Sequence, residues 1–176
     1  MPFPNQVRSI AGTAWEGDFA SHNPNLYSLL AGQGAFVAAP AGVIVGHFAW
    51  IVGGFANPES NALTSVAAGN GAQPAGFIAR ELQGMIITYL AEGTMQVQPG
   101  TPVTAYTAGD FWTLNLGVQS VRGTPIFARL TDGAVAASLT AGADLAGGAA
   151  AWQATKWLSA GPAAPGTLLK ITSTPL

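Results

Sequence analysis

The chain contains no cysteine, which excludes disulfide staples and thiolate metal sites and says little about compartment. Charge is nearly as scarce. Asp, Glu, Lys and Arg make up 8% of the 176 residues, against about 25% in ordinary globular domains. The net charge is −2, and the six Lys and Arg are scattered from Arg8 to Lys170. No basic cluster draws this chain to phosphate backbones, so no nucleic-acid partner is expected. Long hydrophobic runs are missing too. Mean hydropathy is +0.34, but the longest weakly charged segment, Leu26 to Phe55, is broken by Pro40, His47 and several glycines. A spanning helix is not expected, and the short strands are too few for a membrane barrel. The N-terminal MPFPNQVRSIAG has no basic region followed by an apolar core, as a secretory signal would.

The usual marks of catalysis are absent as well. Only His22 and His47 are available as imidazoles, and no acidic residue stands at metal-ligand spacing from either. His47 reads as a strand residue with one face partly exposed, and no metal or cofactor is expected. No G-x-S-x-G nucleophile turn occurs. Gly32-Gln33-Gly34 is too short for a dinucleotide fingerprint, and no helix follows it. Glu16 and Asp18 are a carboxylate pair two residues apart, pointing to one side of an extended segment as acid/base work would need. They lie in a segment where no cleft is expected and read as turn or contact residues. Arg80-Glu81 reads as an ion-pairing site at a strand edge or subunit contact. The expectation is a protein that is not an enzyme.

What is present is a rhythm. From Phe77 to Leu130, short apolar runs alternate with Gly, Pro and Asp punctuation. Met85–Leu90, Met95–Val97, Val103–Tyr106, Phe111–Leu116 and Ile126–Leu130 each read as a strand. The breaks are Glu92-Gly93, Pro99-Gly100, Ala108-Gly109-Asp110 and Arg122-Gly123. Earlier, Gly34–Ala39 and Val43–Val52 read as strands around a Pro40-Ala41-Gly42 turn, with Gly46 marking a bulge or bend. Gly53–Pro74 is low in complexity and reads as a long contact-making loop. Asp132-Gly133 is the clearest hairpin signal. Ala136–Ala151 reads mostly as loop, and Thr155–Leu158 and Thr167–Ser173 close the domain. No stretch shows a sustained 3.6-residue apolar period, and no internal repeat is visible. The fold class expected is all-β: a small antiparallel β-barrel or sandwich with little helix.

The first 30 residues are different. Pro2, Pro4 and Pro24 break regular structure, while Trp15, Phe19 and Tyr27 are spaced like anchors on an extended arm. Residues 1–30 are therefore expected to form an N-terminal arm and residues 31–176 a single β domain. Such an arm lies across a neighbouring subunit or folds back on its own domain; the sequence permits both. The five Trp residues fit core and interface anchoring more economically than a stacking platform for sugars or single strands. A surface this poor in charge also points to assembly, since soluble monomers use charge to stay apart.

One resemblance runs through nearly the whole chain, from about Trp15 to Ile171. The succession Trp15-Glu16-Gly17-Asp18-Phe19-Ala20-Ser21-His22-Asn23-Pro24, then Leu30-Ala31-Gly32-Gln33-Gly34-Ala35-Phe36-Val37-Ala38, then Gly42-Val43-Ile44-Val45-Gly46-His47-Phe48-Ala49-Trp50 resembles the structural cement (decoration) proteins of tailed-phage capsids. Gly76–Arg80, Ile87–Glu92, Ala108–Trp112 and Thr155–Trp157 are similar to the same family. The resemblance implies a small β-rich protein on the outer surface of an icosahedral shell in the virion, made in the host cytoplasm. It implies binding to the major capsid protein where its subunits meet, and self-association as a homotrimer, with a homodimer bridging capsomers as the alternative. The candidate capsid or subunit contacts are Trp15, Glu16, Asp18, Phe19, Asn23, Tyr27, Arg80 and Glu81. The competing reading is a small-molecule or carbohydrate-binding β-barrel domain, which requires a pocket with convergent polar groups.

Overall fold

A computed structural model describes residues 14–21, 26–29, 36–52, 62–67, 71–81 and 95–173. Thirteen strands are present among them: β1 Tyr27–Leu29, β2 Val37–Ala38, β3 Val43–Ile44, β4 Phe48–Val52, β5 Ala62–Thr64, β6 Gly76–Phe77, β7 Gln96–Val97, β8 Ala105–Ala108, β9 Asp110–Leu114, β10 Pro125–Arg129, β11 Val135–Ala137, β12 Trp152–Ser159 and β13 Leu168–Thr172. The helical structure among the described residues is a single 3-10 turn, Ala149–Ala151. Among the described residues the fold is all-β and sandwich-like, without a closed barrel.

Alternation of side chains along each strand explains the layering. On β4, Phe48 and Trp50 face one core while Ala49 faces another. Phe77 and Ile78 divide the same way at β6, as do Tyr106 and Ala105 on β8. In the six-stranded sheet, ordered β1-β8-β6-β4-β5-β2, the central strands β8, β6 and β4 are therefore buried on both faces. One face packs on the five-stranded sheet β11-β10-β12-β13-β9. The other packs on the β3–β7 ribbon through Val43, Val97, Leu63, Ile78 and Val103, all at most 2% exposed.

The first interface is aromatic. Cross-strand register sets Phe48 beside Phe77 and Phe77 beside Tyr106. From the opposing sheet come Phe111 and Trp157. Ring centroids lie 5.0 Å apart for Phe77–Phe111, 5.3 Å for Tyr106–Phe111, 5.8 Å for Phe111–Trp157 and 5.9 Å for Phe48–Trp157. A third, smaller cluster lies on the outer face of β10 and β11. There the 138–151 segment folds over Phe127 and Ala136 with Leu145 and Trp152, and the Trp152 indole donates to the Ala146 carbonyl at 2.8 Å.

Two features turn the chain sharply. The β10–β11 hairpin closes at Gly133, whose φ of 73° suits glycine. A Cβ there would lie 2.0 Å from the Phe48 carbonyl oxygen, so the hairpin tip lies directly on the start of β4, where the Phe48 amide donates to the Gly133 carbonyl at 2.9 Å. Buried Asn115 ends β9. Its side-chain amide donates to Val118 at 2.8 Å, and its oxygen accepts from Gly117 at 3.0 Å and Ala137 at 3.1 Å. Beyond it, the Leu116 and Val118 amides donate to the Val135 and Ala137 carbonyls, curling the five-stranded sheet toward itself.

The strand expectations from 95 to 173 match elements within a few residues, and Val43–Val52 is split into β3 and β4 at Gly46, as its glycine indicated. Met85–Leu90 lies outside the described residues. Two details differ from the sequence reading, and a third concerns the N-terminal segment, for which the sequence permits folding back on its own domain. The stretch read as a loop, Gly53–Pro74, carries β5, which pairs with both β4 and β2. The β2–β5 pair is parallel in an otherwise antiparallel arrangement. The segment expected to be an extended arm carries β1, hydrogen-bonded to β8.

Phe77→Ala empties the centre of the aromatic interface and is expected to lower unfolding free energy by about 3–5 kcal/mol. Phe77→Leu, which keeps most of the volume, should lose much less. Asn115→Ala strands two buried amides and should cost about 1–3 kcal/mol for each donor left unpaired. Urea denaturation followed by tryptophan fluorescence measures all three.

Candidate functional site

The functional candidates converge on one corner, where the β8–β9 hairpin meets both sheets. Residues 14–21 run along β9 as an additional strand-like segment. The Gly17 amide donates to the Trp112 carbonyl at 2.7 Å, the Trp112 amide to Asp18 at 2.8 Å, and the Ala20 amide to Asp110 at 2.8 Å. On its other side the Arg80 amide donates to the Gly17 carbonyl at 2.7 Å. A tight turn shapes the segment: the Trp15 amide donates to the Asp18 carboxylate at 2.8 Å. The remaining free edge of β9 is thereby covered, as protected sheets require.

Seven of the eight predicted contacts lie here. Trp15 is 69% exposed and carries the Arg80 guanidinium over its ring at 5.5 Å, a cation–π contact. Phe19 turns inward against Tyr106 at 5.3 Å and Phe111 at 5.1 Å, joining the surface segment to the aromatic core. The Tyr106 hydroxyl donates to Glu81; burial first, and then that carboxylate, push the Tyr106 phenol well above its usual range. Asp18 serves the turn. Glu16 reaches back toward the body, with Oε1 3.7 Å from His47 Nε2 and 3.4 Å from the Leu114 amide. Tyr27, 65% exposed, stands on β1 opposite Ala108, beside the same hairpin. Asn23 and His22 lie outside the described residues.

The sequence did not single out the second half of this neighbourhood. His47 stands at the β3–β4 bend and its Nδ1 lies 2.8 Å from the Asp132 carbonyl, a contact made across 85 positions of sequence. The Asp132 carboxylate accepts from Arg129 Nε at 2.8 Å and Nη2 at 2.5 Å, and from the Ala134 amide at 3.1 Å. Asp110 accepts from the Ser21 hydroxyl at 2.5 Å and faces Lys170 Nζ at 3.7 Å. Glu16, Asp18, Arg80, Glu81, Asp110, Arg129, Asp132 and Lys170 are thus linked through this corner, leaving Arg122, Asp144 and Lys156 as the other acidic or basic residues among those described. Charge is rare in this protein, and eight of the eleven charged residues among those described are linked through this corner, where Trp15, Phe19, Leu26 and Tyr27 are exposed.

That arrangement has the anatomy of a contact surface: aromatic anchors, an arginine and a polar rim. Among the described residues no three His, Asp or Glu side chains converge as metal ligands would. A second exposed apolar set, Leu116, Val121 and Leu139, carries no charge beyond nearby Arg122 and Asp144.

Comparisons with known proteins bear on this surface. A family model described as XM1 gp53 minor capsid protein matches residues 3–173. A solved chain from the capsid of Myoviridae Phage XM1 shares the fold, with a TM-score of 0.62 over 99% of this chain and 98% of that one, at 16% identity. No curated protein matches.

The Asp132 carboxylate yields a pH prediction. Burial works against its charge, yet the Arg129 fork, the Ala134 amide and the Arg129 and His47 charges together outweigh burial and hold it below the ordinary value of 3.8. A lowered folded-state value means that its contribution is present above about pH 4 and is lost as pH falls through the carboxylate range. The pair is partly exposed, so the effect is at most about 1 kcal/mol. In urea titrations at pH 7, 4 and 3, Asp132→Asn should lose less stability on acidification than the native chain; an equal loss would refute the assignment.

Proposed function

The chain belongs to the XM1 gp53 minor capsid protein family, and from that premise we propose that it is a cement, or decoration, protein of the outer capsid surface. As a phage capsid protein it is a structural component of the virion. Its partner in this reading is the major capsid protein, bound where subunits meet, with the junction stiffened by the added contacts. Residues 1–30 supply the contacting element, and the β domain is the platform that holds it. The self-association that fits this role is a homotrimer.

The observation that carries the reading is the exposed set Trp15, Phe19, Leu26 and Tyr27, at the corner through which most of the charged residues among those described are linked. Elsewhere the surface is built largely from small and uncharged residues, which bring backbones close but discriminate poorly. Stable interfaces of standard size bury about 1,600 Å², and a few aromatic and arginine residues provide most of their energy. A shell presents many identical sites, so modest single contacts become durable attachment when each subunit is held by more than one. Trp15 and Tyr27 also contribute little to the core, which frees them to serve a partner.

The test uses expanded phage shells lacking this protein. Native protein should bind them to saturation in co-sedimentation, raise their melting temperature, and be labelled by antibody added from outside. Trp15→Ala combined with Tyr27→Ala should weaken binding by at least about 30-fold, taking about 2 kcal/mol or more as the cost of truncating one such anchor. Folding should be unaffected, because both rings are largely exposed. Full occupancy by the double variant would sink the assignment of the contact row. Failure of the native protein to decorate the shells would sink the cement role itself.

A further inference from the structure

His47 stands between the Asp132 backbone carbonyl and the Glu16 carboxylate, and its two nitrogens have different tasks. The Asp132 backbone carbonyl, 2.8 Å from Nδ1, can only accept a hydrogen bond. In the neutral ring the proton therefore belongs on Nδ1, and Nε2 presents a lone pair. That lone pair faces Glu16 Oε1 at 3.7 Å, so acceptor faces acceptor and no bond forms. Protonation changes this contact most directly: Nε2 gains a hydrogen, the ring gains a charge and Glu16 becomes its partner, while the Asp132 carboxylate, on the β body whether or not the segment is docked, also feels the new charge.

The surroundings leave His47 to respond to Glu16. The Asp132 carboxylate is occupied by the Arg129 fork. Arg80, the cation that hydrogen-bonds the 14–21 segment, stacks on Trp15. Thr113 donates to the Gly46 carbonyl at 2.9 Å and fixes the bend that carries the ring. Gly46 leaves room for the Glu16 side chain: a Cβ there would lie 2.2 Å from Glu16 Cγ. The carboxylate thus lies over a glycine made for it, with side-chain exposure of 26% beside 16% for His47. The pair is partly sheltered from water.

We propose that His47 and Glu16 form a proton-operated latch, which fastens the Trp15–Ser21 segment to the β body at mildly acidic pH and loosens it above neutrality. A comparison of about pH 5 with pH 8 brackets the range in which imidazole side chains in general gain or lose a proton. The sign follows from the geometry: protonation creates an attraction in the docked segment that a displaced Glu16 lacks, so lower pH favours docking. Because Trp15 belongs to the same turn as Glu16, the latch sets how firmly that ring is presented, whatever it contacts.

Amide hydrogen exchange reads the latch directly. The Gly17 and Ala20 amides report docking of the segment onto β9, and the Asn115 amide, bonded to Thr167 at 3.0 Å, serves as a reference on the same sheet. After correction for intrinsic exchange, protection of Gly17 and Ala20 relative to Asn115 should rise about two- to fivefold from pH 8 to pH 5, the range of a part-exposed ion pair. In Glu16→Gln, which retains an oxygen for the Leu114 amide, and in His47→Gln, the relative protection should stay flat. Flat protection in the native chain overturns the latch, and so does an undiminished rise in Glu16→Gln.

Discussion

The structure depends on one packed group of rings. Phe77 touches Phe48 within its own sheet, and Phe111 and Trp157 across from the six-stranded sheet to the five-stranded one. Strands of two to five residues make up most of the fold, too short to hold position by their own ladders. Large side chains compensate, because each aromatic ring buries more area than two or three of the alanines that dominate this composition. Tilted and edge-to-face pairs add about 0.5–1.5 kcal/mol each beyond area burial. Take the rings away and the small residues left between the sheets would fill only a thin layer.

That same cluster reaches the surface. Phe19 belongs to the N-terminal segment, yet its ring packs on Tyr106 and Phe111. The segment is consequently held from three sides: by backbone bonds to β9, by the Arg80 amide, and by a ring set into the core's rim. Trp15 stands only four positions earlier. An exposed tryptophan on a free arm would lose its freedom on binding, whereas one mounted on a fixed turn has lost much of it already. Pre-organisation of this kind is a recurrent way to turn few contacts into useful affinity.

Much of this was legible in the sequence. Gly-Asp and Pro-Gly punctuation placed the strands after Met95, since glycine and proline act locally and leave a local trace. The prominence of Trp15, Phe19, Tyr27 and Arg80 was also visible, because large or charged residues stand out in a chain of alanine and glycine. Other elements left no such trace. Ala62-Leu63-Thr64 becomes β5 only through β4 and β2, and its low-complexity flanks hide it. Phe48-Ala49-Trp50 is apolar at every position because its sheet is covered on both faces. Alternation is the signal of a half-exposed strand, so the layering could not be read from it. His47 read as an unremarkable strand residue for a similar reason: its partners, Glu16 and Asp132, lie far from it in sequence and meet it only at the bend.

The distribution of charge follows from the same economy. A charge-poor surface can lie against neighbours without the desolvation penalty that Lys and Glu carry, but it provides little direction. Orientation must then come from the few charges that remain, and these are gathered where the aromatic row emerges. Asp132 with Arg129 fixes the hairpin that seats His47; Asp110 ties Ser21 and Lys170 to the same corner; Arg80 steadies Trp15. Each of these charges is engaged within its own subunit. They hold the exposed side chains of this corner in place, and in the proposed cement role the apolar surface beside them is what meets the neighbour. For a capsid protein that division suits repeated use on a lattice: the apolar row can meet the same neighbouring surface at every site, and the charges keep its shape constant from copy to copy.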